Sequence, residues 1–252
     1  RPLAYSYSSE HQQFEAASES VGLGEVETTN VSEVKPGEIL GFNLDNISSP
    51  KIIYNYNSNQ PQAKTYGGKC IFEYIYFLNP ETVWDHVLVN NIRKNWAETL
   101  ALSDKEMIET RVNHIVIGIP STGIEPGKAY AKTLELPYFQ AITKNPDVNR
   151  TFILSGEERD RVSKKKYIFN KHQIEGNHVT IIDDSIVRGV TMRNLVKNIF
   201  SQGALSVHIR IISPTITNIC RYGIDIPTKE ELIATNKSVQ EMTNYFEATS
   251  LK

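Results

Sequence analysis

Val179-Thr180-Ile181-Ile182-Asp183-Asp184-Ser185-Ile186-Val187-Arg188-Gly189-Val190-Thr191 is the stretch on which the fold turns. With His178 before it, the first part is a short apolar run ending in two acids, the pattern of a buried strand. Beyond the loop, Met192, Leu195, Val196, Ile199 and Phe200 recur at the i, i+3, i+4, i+7, i+8 spacing of an amphipathic helix. Gly203 stands where a helix C-terminus favours a residue of positive φ. Val207, Ile209 and Ile211 then alternate as the next strand. Strand, helix and strand over so short a span predict a right-handed parallel crossover. The loop from Asp183 to Thr191 therefore falls at the carboxyl end of a parallel sheet, where such sheets bind ligands.

Two adjacent acids at a strand end repel each other, so on stability grounds they are a poor choice. They make sense if they face a cation or the hydroxyls of a ribose. Ser185, Gly189 and Thr191 lead into the helix start, where free N–H groups and the helix dipole favour an anion. Gly189 lets the backbone approach a phosphate closely. Acids at one end of the loop and a phosphate cradle at the other suit a sugar phosphate. A plain strand-to-helix turn with an Asp N-cap has the same spacing, and spacing alone leaves both readings open.

Outward from this unit, His114-Ile115-Val116-Ile117-Gly118-Ile119 is an apolar run suited to a buried strand, stopped by Pro120. A loop over Ser121 to Gly127 and a helix to Leu134 are expected after it, then a strand over Tyr138 to Ile142. Lys144 to His172 is highly charged and poor in apolar residues, so a mobile loop is expected within it. Upstream, Val83, Val87, Trp96 and Leu100 predict a helix from Glu81 to about Leu102. In the first sixty or so residues Phe14 to Glu19 and Glu38 to Phe42 read as strands, with Lys35-Pro36-Gly37 a tight turn between them. Tyr54 to Gly68 reads as a linker, and the domain boundary is placed near residue 65. The fold class is thus α/β, a parallel sheet flanked by helices, preceded by a β-rich piece.

The 252 residues suffice for one large α/β domain and a smaller piece. A net charge of −2 gives no general basic field, and no helix-turn-helix extension is evident; both argue against nucleic acid as a partner. No apolar run approaches the roughly 20 residues of a membrane helix. Two cysteines, Cys70 and Cys220, make a poor disulfide framework and point to a reducing, cytoplasmic setting. Arg1-Pro2-Leu3 lacks a signal pattern and reads as a cut end.

The run from Val179 to Gly189 resembles the phosphoribosylpyrophosphate signature of type I phosphoribosyltransferases. Its Ser185-Ile186-Val187-Arg188-Gly189 form is similar to that of the amidophosphoribosyltransferases. Other segments resemble that family in order and spacing: Ala17 to Ser20, Lys35 to Glu38, Cys70 to Phe77, Asn149 to Ile153, Tyr222 to Asp225 and Glu230 to Ala234. The resemblance implies a type I phosphoribosyltransferase domain over 66–252, preceded over 1–65 by the last strands of an N-terminal-nucleophile glutaminase domain. It implies formation of 5-phosphoribosylamine from phosphoribosylpyrophosphate and ammonia, the first step of purine synthesis. The family's nucleophilic N-terminal cysteine has no match here. Ammonia would then come free or from a separate glutaminase chain. The resemblance also implies a homo-oligomer inhibited by purine nucleotides.

Carried over by position, the paired acids Asp183 and Asp184 would serve magnesium and the ribose. Ser185, Ile186, Val187, Arg188, Gly189, Val190 and Thr191 would hold the 5-phosphate. Pro120-Ser121-Thr122-Gly123 matches the pyrophosphate loop, with Thr122 and Gly123 as binding residues and Thr122 also near the metal. Lys144 and Arg150 match basic positions of the loop that closes over pyrophosphate. No single residue is expected to act as acid or base, because neutral ammonia needs none. Cys70 and Cys220 match two of four cysteines that hold a four-iron cluster in some members; two buried free cysteines are the competing reading.

The chain also departs from the family. Ser121 replaces an acid in the pyrophosphate loop. Pro146, Asp147 and Asn149 replace Arg, Tyr and Gly in the mobile loop, and Asp147 sets a negative charge near a polyanion. Asn79 stands for an Arg, Glu81-Thr82 for Asp-Ser, and His86 for a Gly. These changes suit a divergent member with slowed, altered or lost chemistry; a phosphoribosylpyrophosphate- or nucleotide-binding paralogue without turnover is the alternative.

Overall fold

The computed structural model describes residues 2–8, 10–24, 31–43, 45, 49–55, 69–105, 112–146 and 166–252. It divides into two compact units, 1–92 and 93–252. The compositional boundary near residue 65 falls among residues 56–68, outside the described ones.

The first unit is β-rich. Strand β1 (Ala4–Ser8) pairs antiparallel with β2 (Gln13–Ala17), Ala4 facing Ala17, and on its other edge with β3 (Ser32–Glu33). Strand β4 (Glu38–Gly41) pairs antiparallel with β5 (Lys51–Asn55), with a bulge between Ile39 and Leu40. Phe14 and Phe42 pack with ring centroids 3.7 Å apart, and Tyr5 lies edge-on to Phe42 at 6.1 Å. The Lys35–Gly37 turn is present, closed by the Glu38 N–H on the Lys35 carbonyl at 3.0 Å. It joins β3 to β4 rather than forming a hairpin between the strands expected over 14–19 and 38–42. Those two strands have different partners.

The helix expected from Glu81 is a second correction. Val83–Trp84 (β6) and Val87–Leu88 (β7) form a hairpin, and the helix α1 runs over Val89–Asp104. Asp85 and His86 at its tip have φ of 55° and 62°. Two successive positive φ values are what a two-residue hairpin turn requires, and Asp is among the residues that tolerate them. Here a two-residue turn overrode a 3.6-residue pattern that Asn90 and Asn91 already blurred. Trp84 stacks on Tyr74 at 4.6 Å, and Lys69 pairs with Asp85.

The second unit holds a four-stranded parallel sheet of β8 (His114–Gly118), β11 (His178–Asp183), β12 (Ser206–Ile211) and β13 (Ser250–Leu251), in the order β13-β12-β11-β8. Alternate side chains serve opposite faces. Ile115, Ile117, Val179, Ile181, Val207 and Ile209 pack against Met192, Leu195, Val196 and Ile199 of helix α4 (Val190–Ser201) and against Met242 and Phe246 of α6 (Val239–Phe246). Val116 and Ile182 face Ala97 and Ala101 of α1 and Ala129, Tyr130 and Leu134 of α2 (Ile124–Leu134). Full burial of each aliphatic side chain contributes about 1.5–3 kcal/mol. The expected strand–helix–strand unit is present, and Gly203 at the end of α4 has φ 92°.

Helix α2 starts at Ile124, three residues inside the loop expected to run to Gly127. Pro126 and Gly127 read as helix breakers, but Pro126 sits in the first turn, where no intrahelical N–H bond is lost. Gly127 lets the helix lie on β8: a Cβ there would be 3.0 Å from the Gly118 Cα. The strand expected over Tyr138 to Ile142 shrinks to one bridge, Tyr138 to Val116. The next true strand is β9 (Ile142–Lys144), paired antiparallel with β10 (Tyr167–Phe169). The short helices α3 (Lys171–Ile174) and α5 (Ile233–Asn236) complete the unit.

The second sheet face is polar toward the amino ends of the strands. His114 bonds to Thr180 Oγ1 (2.8 Å), and Ser206 Oγ lies between His178 Nδ1 (2.8 Å) and His208 Nε2 (2.9 Å). His208 Nδ1 is 2.9 Å from Ser250 Oγ, and its ring stacks on His114 at 5.5 Å. Nearby, the buried Arg210 pairs with the buried Asp104, which also takes bonds from Tyr130 (2.7 Å) and Lys252 (3.3 Å).

Candidate functional site

The carboxyl end of β11 delivers Asp183 and Asp184 onto a loop whose far end is the start of α4. Asp183 accepts the Asp184 N–H at 3.0 Å. Asp184, only 6% exposed, accepts Thr122 Oγ1 on one oxygen and Ser185 Oγ on the other. Burial pushes the Asp183 carboxyl well above the usual carboxylate range, and the charge of Asp184 pushes it the same way. Burial raises Asp184 too, against the Ser185 and Thr122 hydrogen bonds and the charges of Arg93 and Lys166. The two carboxyls thus lie side by side, Asp184 held by two hydroxyls and Asp183 by the Asp184 N–H.

Gly189 caps α4 with φ 82° and no side-chain cap. The plain reading, an Asp N-cap, therefore fails: the acids lie five and six residues before the cap. The first N–H groups of α4, at Val190, Thr191 and Met192, have no carbonyl a turn earlier to bond to. Gly189 is required twice over. Its φ is positive, and a Cβ would come within 2.8 Å of Ile233 Cδ1 and 2.9 Å of Phe246 Cε1. The Ile233 N–H bonds to the Val187 carbonyl at 3.0 Å, which fixes the loop from below. Arg188 is turned to Glu231 (2.5 Å) and Asp225 (3.4 Å), so its guanidinium already has two acid partners. Ile186 is half-buried against the core under α4.

The Pro120–Gly123 loop meets this end of the sheet from β8. The Gly123 N–H bonds to the Ile119 carbonyl and the Ile119 N–H to the Ile182 carbonyl, both at 2.9 Å. A Cβ on Gly123 would lie 2.2 Å from the Ile182 carbonyl oxygen, so only glycine lets the loop cross β11 here. The peptide between Pro120 and Ser121 is cis. Lys144, at the end of β9, reaches Ser121 Oγ at 3.3 Å. The structure thus brings Thr122, Gly123, Lys144 and the 183–191 loop to one end of the sheet. Arg150, with Asp147 and Asn149, lies outside the described residues. A cavity of about 410 Å³, lined by Asn113, His114, Phe139 and Asn177 among others, sits at the opposite end of the strands. Chemistry, not volume, marks the site.

Sequence reasoning passed over Arg93 and Lys166, whose charges act on the acids. Lys166 lay in an undifferentiated charged run and Arg93 on a helix face, with no spacing signal to single them out. Cys70 is exposed in the first unit and Cys220 half-buried in the second. The Cys220 sulfur accepts the Tyr222 and Ile224 N–H groups at 3.3 and 3.4 Å. The sequence supplies two thiolates, half of what a four-iron cluster takes, so a cluster does not fit the residues present.

A parallel sheet covered on both faces, with paired acids leading to a glycine-capped helix beside a second tight loop, defines the type I phosphoribosyltransferase fold. The comparisons agree. A solved glutamine phosphoribosylpyrophosphate amidotransferase from B. subtilis, complexed with ADP and GMP, superposes with a TM-score of 0.75 at 31% identity, over 100% of this chain and 52% of that one. A structure described as the allosteric regulatory enzyme of purine biosynthesis gives 0.76 at 31%, over 100% and 51%. Amidophosphoribosyltransferases of Bacillus subtilis and Methanocaldococcus jannaschii are 36% and 35% identical over 93% and 90% of this chain, and 47% and 48% of theirs. That of Rattus norvegicus is 34% identical over 97% and 45%. No family model matches the chain. The chain is thus a relative of the amidophosphoribosyltransferases, and it spans about half the length of the curated relatives it matches.

Proposed function

We propose that this chain is the phosphoribosyl-transfer part of an amidophosphoribosyltransferase. It binds 5-phosphoribosyl-1-pyrophosphate with magnesium and exchanges pyrophosphate for ammonia, giving 5-phosphoribosylamine, the first step of purine synthesis. Residues 1–65 correspond to the end of a glutaminase domain, and ammonia comes from solution or from a glutaminase part outside this chain. The observation that carries the reading is the pair Asp183 and Asp184, the second buried and held by two hydroxyls, one loop away from the Gly189-capped start of α4.

Magnesium fits the acids. Their carboxyls are raised by burial, and magnesium is typically held by one or two carboxylates together with substrate phosphates. When bound it would neutralise charge on the leaving pyrophosphate. The chain's own groups do the rest. Thr122 and Ser185 hold Asp184 in one orientation. The Ser185–Thr191 loop and the N–H groups of α4 take the 5-phosphate, as a helix start does for an anion. Lys144 and the Pro120–Gly123 loop face the pyrophosphate. Positioning and charge stabilisation supply the rate, and no acid or base is assigned, because neutral ammonia attacks without one.

One observation favours the binding-only alternative. Ser121 brings no carboxylate to the second loop, and its hydroxyl is engaged by Lys144 instead. Incubating the purified chain with phosphoribosylpyrophosphate, magnesium and ammonium separates the two. Ammonium-dependent pyrophosphate release supports transfer; tight ligand binding without release supports the paralogue; neither release nor binding would sink both.

A further inference from the structure

Gln140 belongs to no strand, yet its side chain ties two of them together. Its Nε2 donates to the carbonyl of Gly118 at 3.2 Å and to that of Ile142 at 2.7 Å, and its Oε1 accepts the Tyr138 hydroxyl at 2.5 Å. Both amide hydrogens and the oxygen are used, so the orientation of the group is fixed. Burial pushes the Tyr138 hydroxyl up to about 12, which keeps its proton available to Gln140.

The two carbonyls have one destination. Gly118 closes β8 and leads through Ile119 into the Pro120–Gly123 loop. Ile142 opens β9, which ends at Lys144. Strands β9 and β10 form a two-stranded ribbon of their own, hydrogen-bonded to each other and not part of the four-stranded sheet. The Gln140 amide therefore spans from the ribbon that carries Lys144 to the strand that carries the loop, and Lys144 Nζ then lies 3.3 Å from Ser121 Oγ.

We propose that Gln140 is a positioning residue for the pyrophosphate end of the site: it holds the Lys144 strand against the end of β8, so that Lys144 and the Pro120–Gly123 loop face one anion. This rests on the reading that these two elements take pyrophosphate. The 5-phosphate end, from Ser185 to Thr191, is held by other contacts and does not depend on Gln140.

Two probes separate the ends: inorganic pyrophosphate with magnesium, and ribose 5-phosphate, each titrated calorimetrically into the full chain. Gln140→Leu is expected to weaken pyrophosphate about tenfold, the effect of one or two lost hydrogen bonds, and to leave ribose 5-phosphate within about twofold. A merely structural role would weaken both alike, and that result, or unchanged pyrophosphate affinity, overturns the proposal. Should Gln140→Leu fail to fold, Tyr138→Phe keeps the packing and releases the Gln140 oxygen. A loss of about threefold for pyrophosphate alone is then expected, and no loss overturns the proposal. Wild type that takes ribose 5-phosphate but no pyrophosphate also overturns it, while leaving the 183–191 site standing. Wild type that takes neither removes the functional reading beneath both.

Discussion

Acid is expected to destabilise this protein through His208. Its ring is packed on His114 and bonded to Ser206 and Ser250, on a sheet face that also carries Arg210 and His178. Ser250 Oγ accepts from Arg210 at 2.9 Å, so its own hydrogen is free to point at His208 Nδ1. Nδ1 is then the acceptor of a neutral ring. Burial first, then the charges of Arg210, His114 and His178, bring the imidazole down from 6.5 to about 4, with Asp104 opposing. As pH falls below 6.5 the unfolded chain takes the proton and the folded chain refuses it. Stability from this group is complete above pH 6.5 and is lost as pH drops toward 4. At about 1.36 kcal/mol per unit the loss is about 2 kcal/mol at pH 5, and about 3 kcal/mol in full. Urea unfolding at pH 7.5 and pH 5, for wild type and His208→Gln, measures it. The glutamine variant should lose about 2 kcal/mol less than wild type between the two pH values. Parallel losses in the two proteins, or a His208 titration by NMR near the ordinary value, would refute the reasoning.

Three further outcomes are expected. Asp183 has a raised value, so its charge costs stability at neutral pH and the cost vanishes below its unfolded value; Asp183→Asn should therefore stabilise the ligand-free chain by about 1–2 kcal/mol while abolishing magnesium-dependent ligand binding, read by thermal unfolding and calorimetry. Gly189→Ala meets both a positive φ and the Ile233 and Phe246 side chains, and should cost about 1–3 kcal/mol, read by urea unfolding. Asp104→Ala leaves Arg210 buried and 2% exposed without its acid; a loss of about 3–5 kcal/mol is expected, with no loss arguing that the network is not what holds that edge.

The central crossover was legible because its signals agree. The apolar run, the helical spacing from Met192 to Ile199 and Gly203 all demand the same unit, and Asp183 to Thr191 fell where that unit puts it. The hairpin at Trp84-Asp85-His86-Val87 was not legible, because two strands of two residues carry no periodicity and the turn residues are not the usual Asn-Gly pair. The start of α2 was missed because Pro126 and Gly127 ordinarily end helices, yet here one sits in the first turn and the other is needed for contact with Gly118. Within the site, residue types at Asp183, Asp184 and Gly189 advertised their chemistry. Gln140, Arg93 and Lys166 act through tertiary approach, and nothing in their sequence spacing records which carbonyl or carboxylate they will meet. Arg188 shows the converse: its place in the motif suggests a ligand contact, while the fold directs it to Glu231 and Asp225.

The central claim is that the Asp183–Thr191 loop, with Thr122, binds phosphoribosylpyrophosphate through magnesium. Titrating that ligand into wild type and Asp184→Asn, with and without magnesium, tests it most directly. Wild type should bind in a magnesium-dependent way and the variant at least about tenfold more weakly, and the variant should still fold because the carboxyl it replaces is already poorly solvated as an anion. Equal affinity in the two proteins would contradict it.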